Sequence, residues 1–240
     1  MNFFSGLSYN IKGLKLGLKT PRLLMLGVIR FILIALLVFI AGVVVFKYSK
    51  DIFTMLWQRP DSMWLVWLWY LLSWIVGLLL FGMGAIIAYL VGQIAFAVFI
   101  MDRMAQITER IITGEVTQPH DSSALKMMIY LIQQEVPRAI FPVFLSTILM
   151  VLGWLTPLGP VLTIVIPAVA VIFLAWDNTD LIPARKLIPF RERFQFLKNN
   201  LMFHLGFGLL FLIPVANILF LSFAPVGGAL YYIEREKQKT

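Results

Sequence analysis

The sequence predicts an all-α integral membrane protein: two long transmembrane helices, two proline-broken hairpins that are half-inserted or fully spanning, and amphipathic helices beside them. Three observations predict it. Of 240 residues, 60% are hydrophobic and only 13% charged, and a soluble fold of this length has too little interior for so much apolar surface. The apolar residues fall in uninterrupted runs, and about 20 residues at about 1.5 Å each cross about 30 Å of hydrocarbon. The basic residues flank these runs, where cations meet lipid headgroups.

The same composition excludes several classes. A net charge of +8 would suggest nucleic acid in a soluble chain, but the bases form no single stripe, so lipid is the expected partner and nucleic acid is not. There is no cysteine, hence no disulfide, thiolate metal site or Cys nucleophile. His120 and His204 are too far apart in sequence to pair at metal-ligand spacing, so no metal and no cofactor are expected. No catalytic constellation of nucleophile, base and orienting group is evident, and the chain is not expected to be an enzyme. The first apolar run is too long for a signal-peptide core and no cleavage-like site follows it. One membrane domain, 1–240, is expected.

Within it, residues 1–21 read as an interfacial helix, with Phe3, Phe4, Leu7, Ile11 and Leu14 at helical spacing and Lys12, Lys15 and Lys19 away from most of them. Gly6 and Gly13 weaken it as a helix. Residues 22–57 hold the first span, with Arg30 the one charge inside Leu23–Phe46 and a polar loop marked by Lys47, Lys50, Asp51, Arg59 and Asp61. Residues 63–114 read as one very long helix. Met63 to Met101 carries no charge and no proline, Trp64, Trp67, Trp69, Tyr70 and Trp74 crowd its first end as an interfacial belt, and an amphipathic pattern then runs to Thr113-Gly114. Gly77, Gly84, Ala88 and Ala95 lie close to one face of it, which suits close helix packing within the chain or between subunits.

Residues 115–136 read as a polar connector in which Ser122 or Ser123 caps a short helix, and Pro137 opens a new element. The first hairpin, 137–177, breaks at Thr156–Pro160 with Pro157 and Gly159 as its tip; the second, 201–234, breaks at Pro214. Each uncharged half is shorter than the roughly 20 residues of a comfortable span. Two arrangements stay open: short spanning hairpins, or hairpins that enter partway and return, which would need protein or water over their tips. Between them, 178–200 is a basic amphipathic segment that Asp177 and Asp180 could organise by salt bridges. A charged tail, 235–240, follows. All the long polar segments fall on the side of the basic N-terminus, which the positive-inside rule places in the cytoplasm.

The candidate site residues are cationic or lie at a helix break. Arg30 inside a span is a functional hypothesis by default, against the alternative of snorkelling to the interface. Arg22 and Lys19, beside Pro21, offer donors to an oxyanion or to lipid headgroups. On a helix, Arg22 and Arg30 can share one face about 12 Å apart. Asn217 follows the break at Pro214, where a helix start suits an anion or the side chain merely caps.

The order of elements, with Pro137-Arg138-Ala139-Ile140, Pro157 and Gly159, Asp180 followed by Pro189-Phe190, and Ile213-Pro214-x-x-Asn217 with Ala224 and Gly227, resembles the CysZ sulfate permeases and etoposide-induced-2.4-like proteins. The family's adjacent arginines after an early proline, implicated in sulfate binding, have no full match: Pro21 is followed by Arg22 and then Leu23. The resemblance implies a channel or permease for a small oxyanion, sulfate first, in the inner membrane. A homo-oligomer is expected, with the pathway between the hairpins and the long helices. The other reading is a non-transporting scaffold or bilayer-shaping protein.

Overall fold

Backbone polar groups in hydrocarbon must be satisfied within the chain, and a helix does this locally. The computed structural model describes residues 2–116, 124–214 and 216–238, and among them there is no strand. The helices are α1 Phe3–Lys19, α2 Pro21–Leu56, α3 Met63–Gly92, α4 Val98–Thr113, α5 Ala124–Leu155, α6 Gly159–Thr179, α7 Leu181–Arg185, α8 Phe190–Asn199, α9 Leu201–Gly208 and α10 Ala216–Lys237. Among the described residues, five stretches are long and apolar enough to cross a membrane: α2, α3, residues Val136–Leu155 of α5, α6 and α10. This is a multi-pass membrane protein.

The chain divides into two compact units, Ile32–Gln93 and the remainder, Met1–Phe31 with Ile94–Thr240. The smaller unit is an antiparallel pair, α2 and α3. Its small residues face the partner helix as the spacing predicts. A Cβ on Gly84 would stand 3.3 Å from the Val45 side chain, one on Gly92 3.0 Å from Leu37, and one on Gly77 3.8 Å from Ser49. Lys47, Lys50 and Asp51 are not a loop: α2 runs through them to Leu56, and the turn is confined to 57–62. Trp69 is not part of the lipid-facing belt. It is buried against Phe53, its ring centroids 5.4 Å away, and its indole N–H donates to the Trp57 carbonyl at 2.9 Å. Trp64, Trp67 and Trp74 are exposed as a belt requires.

Between α3 and α4 the helical backbone continues through a π-helical turn at Gln93–Ala97, so helix persists from Met63 to Thr113, and Gly114 at φ 82° ends it. Pro137 does not open a new element. α5 passes through both Pro137 and Pro142, an insertion that costs about 3 kcal/mol in an isolated helix; here the following residue, Arg138, is anchored by two aspartates. The proposed caps Ser122 and Ser123 lie outside the described residues.

The larger unit is built around α10. Every residue from Ser222 to Ile233 is buried, and α10 contributes to three apolar clusters. With Met101 and Ala105 of α4 and Leu181 and Ile182 of α7 it forms one. With Ala175, Phe203, Phe207 and Phe211 it forms a second. With Leu23 and Met104 it forms the third. α1 packs on α9 and α10 through Gly6, Asn10, Gly13 and Gly17, its buried residues. The glycines that weaken α1 in isolation are therefore its contact face. A Cβ on Gly6 would collide with the Phe203 carbonyl, one on Gly206 with the Phe3 carbonyl, and one on Gly227 would stand 2.7 Å from the Tyr9 carbonyl.

The two hairpins differ. α6 has 21 residues, about 31 Å of rise, enough to span; the helix continues past the uncharged run into Asp177–Thr179. The first arm of the second hairpin is only α9 plus a 3-10 turn, Leu209–Leu212, about 20 Å in all. Cysteines introduced into this Cys-free chain test the difference. A thiol at Leu158 should react with a membrane-impermeant reagent from the side opposite the termini, whereas one at Leu212 should stay protected from both sides. Backbone contact makes a second expectation. Gly206→Ala should lower the thermal midpoint, at a cost of about 1–3 kcal/mol or more for overpacking. Gly82→Ala, where a Cβ meets nothing within 4 Å, should be neutral or stabilise by up to about 1 kcal/mol.

Candidate functional site

α6 ends in three polar residues and is capped by a fourth, Asp177-Asn178-Thr179-Asp180, all buried. Successive residues of a helix point about 100° apart, so four in a row address four directions. Each finds a different element. Asp177 Oδ1 forms an ion pair with Nε of Arg138 from α5 at 3.0 Å. Asn178 Oδ1 lies 3.4 Å from a guanidinium nitrogen of Arg30 from α2, and its amide donates to the Leu174 carbonyl at 2.7 Å. Thr179 Oγ1 is 3.2 Å from His204 Nε2 of α9. Asp180 holds two arginines on one oxygen, Arg138 at 3.1 Å and Arg193 of α8.

The local sequence makes this possible. Asp180 caps α6, its N–H reaching back to the Trp176 carbonyl, and α7 restarts at once with Leu181. A turn with Leu187 at φ 59° and then Pro189 redirects the chain into α8. α8 thus returns Arg193 toward Asp180, where its Nε also donates to the Ile188 carbonyl at 3.0 Å. A second buried arginine, Arg185 at the end of α7, bridges Asp102 at 3.1 Å and Glu109 of α4. Asp102 is further fixed by the Gln106 amide at 2.7 Å.

The electrostatics follow from burial. Arg30, Arg138, Arg185 and Arg193 are between 2% and 5% exposed, and each buried ion carries a desolvation penalty of several kcal/mol that only good pairing offsets. Burial pushes the Asp102 carboxyl above the usual carboxylate range, against the pull of Arg185. It does the same to Asp180, against the pull of Arg138 and Arg193. No group of three or more His, Cys, Asp or Glu able to hold a metal occurs among the described residues.

Of the candidate anion-site residues Arg22, Arg30, Lys19 and Asn217, Arg30 is the one that joins this network. It does not snorkel: it is buried and donates to the Leu221 carbonyl of α10 at 2.9 Å as well as meeting Asn178. Arg22 and Lys19 are exposed, so Arg22 and Arg30 do not share one environment. Asn217 is half-buried in the first turn of α10, one turn before the Leu221 carbonyl that Arg30 reaches. Pro157 and Gly159 stand at the tip between α5 and α6, and Pro214 in the exposed turn before α10. The organising role expected of Asp180 toward 185–198 is seen in its pairing with Arg193, while Asp177 turns to Arg138. Arg185 and its partners Asp102 and Glu109 were legible in sequence only as charges placed just beyond long uncharged runs.

The family model described as sulfate transporter CysZ/etoposide-induced protein 2.4 matches residues 9–222. No curated protein matches the chain. The shared carboxylate makes one position more sensitive than its neighbours. Asp180→Asn should cost about 3–5 kcal/mol, the range for breaking a buried ion pair by removing one partner. Lys12→Gln should cost at most about 1 kcal/mol, because its contact with Glu234 at 3.6 Å is exposed. Thermal midpoints of the two purified variants in one detergent check the ranking.

Proposed function

The chain belongs to the sulfate transporter CysZ/etoposide-induced protein 2.4 family, and on that footing we propose that it is a membrane channel or permease for a small oxyanion, with sulfate the first candidate, and not an enzyme. The observation that carries this reading is the set of guanidinium groups gathered on the end of α6. Arg30, Arg138 and Arg193 meet Asn178, Asp177 and Asp180 inside a membrane protein, where ionisable groups are costly and mark ion paths. An oxyanion leaving water must exchange its hydration shell for donors, and a planar guanidinium supplies two at the spacing of sulfate oxygens. In this reading the anion competes with the aspartates for the same donors. Arg30 is the member of the cluster we assign to the anion, with Asn217 one turn along α10 from its anchor. The protein would lie in the inner membrane with both termini in the cytoplasm, in keeping with the basic N-terminal segment. A homo-oligomer would complete a pathway between the hairpins and the long helices.

A second reading, a membrane scaffold without transport, has an observation in its favour. Two cavities, of about 270 and 610 Å³, lie among Glu109, Lys186, Tyr232 and Lys237 and along α8, and neither is lined by Arg30, Arg138 or Arg193.

Flux into liposomes, normalised to folded protein, separates the two. The parent protein should carry sulfate. Arg30→Gln should lower normalised flux at least about tenfold, as expected for the loss of a charge-assisted contact worth about 1.5–3 kcal/mol, while Arg30→Lys should retain more. Absence of sulfate flux in the parent would favour the scaffold, and unchanged normalised flux in Arg30→Gln would remove Arg30 from the path.

A further inference from the structure

α1 and α4 pack against one apolar cluster, α1 through Leu14 and Leu16, α4 through Ile100 and Ile107 as well as Met104, with Leu23 and Leu26 from the start of α2. Each helix turns its bases outward. On α1 and the start of α2 these are Lys12, Lys15, Lys19 and Arg22; on α4 they are Arg103 and Arg110, and all six are exposed. α1 contains no acid. The acids of α4, Asp102 and Glu109, face inward to Arg185. Lys12 is partly occupied by Glu234 at 3.6 Å and by the Tyr9 ring, and Arg103 by Gln106 at 3.0 Å. Lys15, Lys19, Arg22 and Arg110 form no ion pair with the described residues. Large apolar side chains lie exposed among these bases: Phe4, Leu18, Leu24, Met25 and Ile111.

We infer that the outer faces of α1 and α4 form a binding surface for the headgroups of anionic phospholipids. α2 leaves α1 through Pro21 as a membrane span, so the last turn of α1 sits where that span meets the headgroups. A cationic row next to exposed Leu and Met matches an amphiphile, with the phosphate on the bases and the acyl chain on the apolar residues. A free inorganic oxyanion would have no use for the apolar half and would be better held by enclosed donors. The opposite face of α1 is closed by backbone contact with α9 and α10, which leaves one face to the lipid. The inference is independent of transport.

The experiment uses the full chain in detergent, titrated with phosphatidylglycerol, with phosphatidylcholine, and with sodium sulfate. It reads lipid retained by native mass spectrometry and the thermal midpoint. Wild type should retain phosphatidylglycerol over phosphatidylcholine and gain in midpoint only with the former. Each base removed should weaken phosphatidylglycerol binding about fivefold, the factor corresponding to about 1 kcal/mol per base. Lys15→Gln/Lys19→Gln/Arg22→Gln should therefore lose nearly all of it, and Arg103→Gln/Arg110→Gln a smaller part. Either set alone, if folded, tests the surface. Wild-type retention in the folded variants would overturn the inference. So would a midpoint gain from sulfate equal to that from phosphatidylglycerol, which would assign the bases to a free oxyanion. Failure of both variants to fold would overturn it as well, because it would make these bases structural.

Discussion

The pairing of α6 with its surroundings through Asp177–Asp180 is the constraint on which the larger unit depends. Four polar residues ending an apolar helix cannot all face one side, and none can be left unpaired out of water. Each must therefore be met by a group from another element, and the chain supplies them from α2, α5, α8 and α9. Their satisfaction ties Arg30, Arg138, Arg193 and His204 to the end of α6. The double duty of Asp180 couples α5 to α8 directly. Arg185, one short helix further on, ties the same region to α4.

Around this polar anchor the apolar packing is set by small residues rather than by hydrophobic drive. Lipid chains are as apolar as Leu, so helices in a membrane gain little by hiding apolar surface from them and associate through close contact. α1 reaches α9 and α10 backbone to backbone at Gly6 and Gly206. The helices follow the same logic in reverse: in α2 and α3 only 6% of the most apolar window is buried, whereas in α10 it is 67%. The most apolar segments are left exposed, and the less apolar α10 carries the interior of the larger unit.

This division bears on function. A buried arginine network shared between carboxylates and backbone carbonyls is stable only while its partners are in place, so any anion reaching it must exchange with an existing partner. Lys15, Lys19, Arg22 and Arg110, exposed and without an ion pair among the described residues, have no such obligation and are available to lipid. Chemically similar cations thus take different roles because one set is enclosed and the other is not.

The sequence by itself determined that the chain is helical and membrane-embedded, because composition, run length and aromatic belts follow from the solvent each segment must meet. It also placed the end of the long helix at Thr113-Gly114 and the breaks at Pro157 and Pro214, since glycine and proline act locally. Arg30 and Asp180 were legible as charges where charges are costly. Their partners were not, for pairing between Arg30 and Leu221, or Asp180 and Arg138, depends on contacts distant in sequence. Tertiary structure also reversed two local rules. Gly6 and Gly13 disfavour a helix in isolation but permit the contact that holds α1, and Pro137 breaks isolated helices but is carried within α5. In both cases the gain from packing or ion pairing exceeds the local backbone cost, and that balance is set by neighbours the linear pattern does not name.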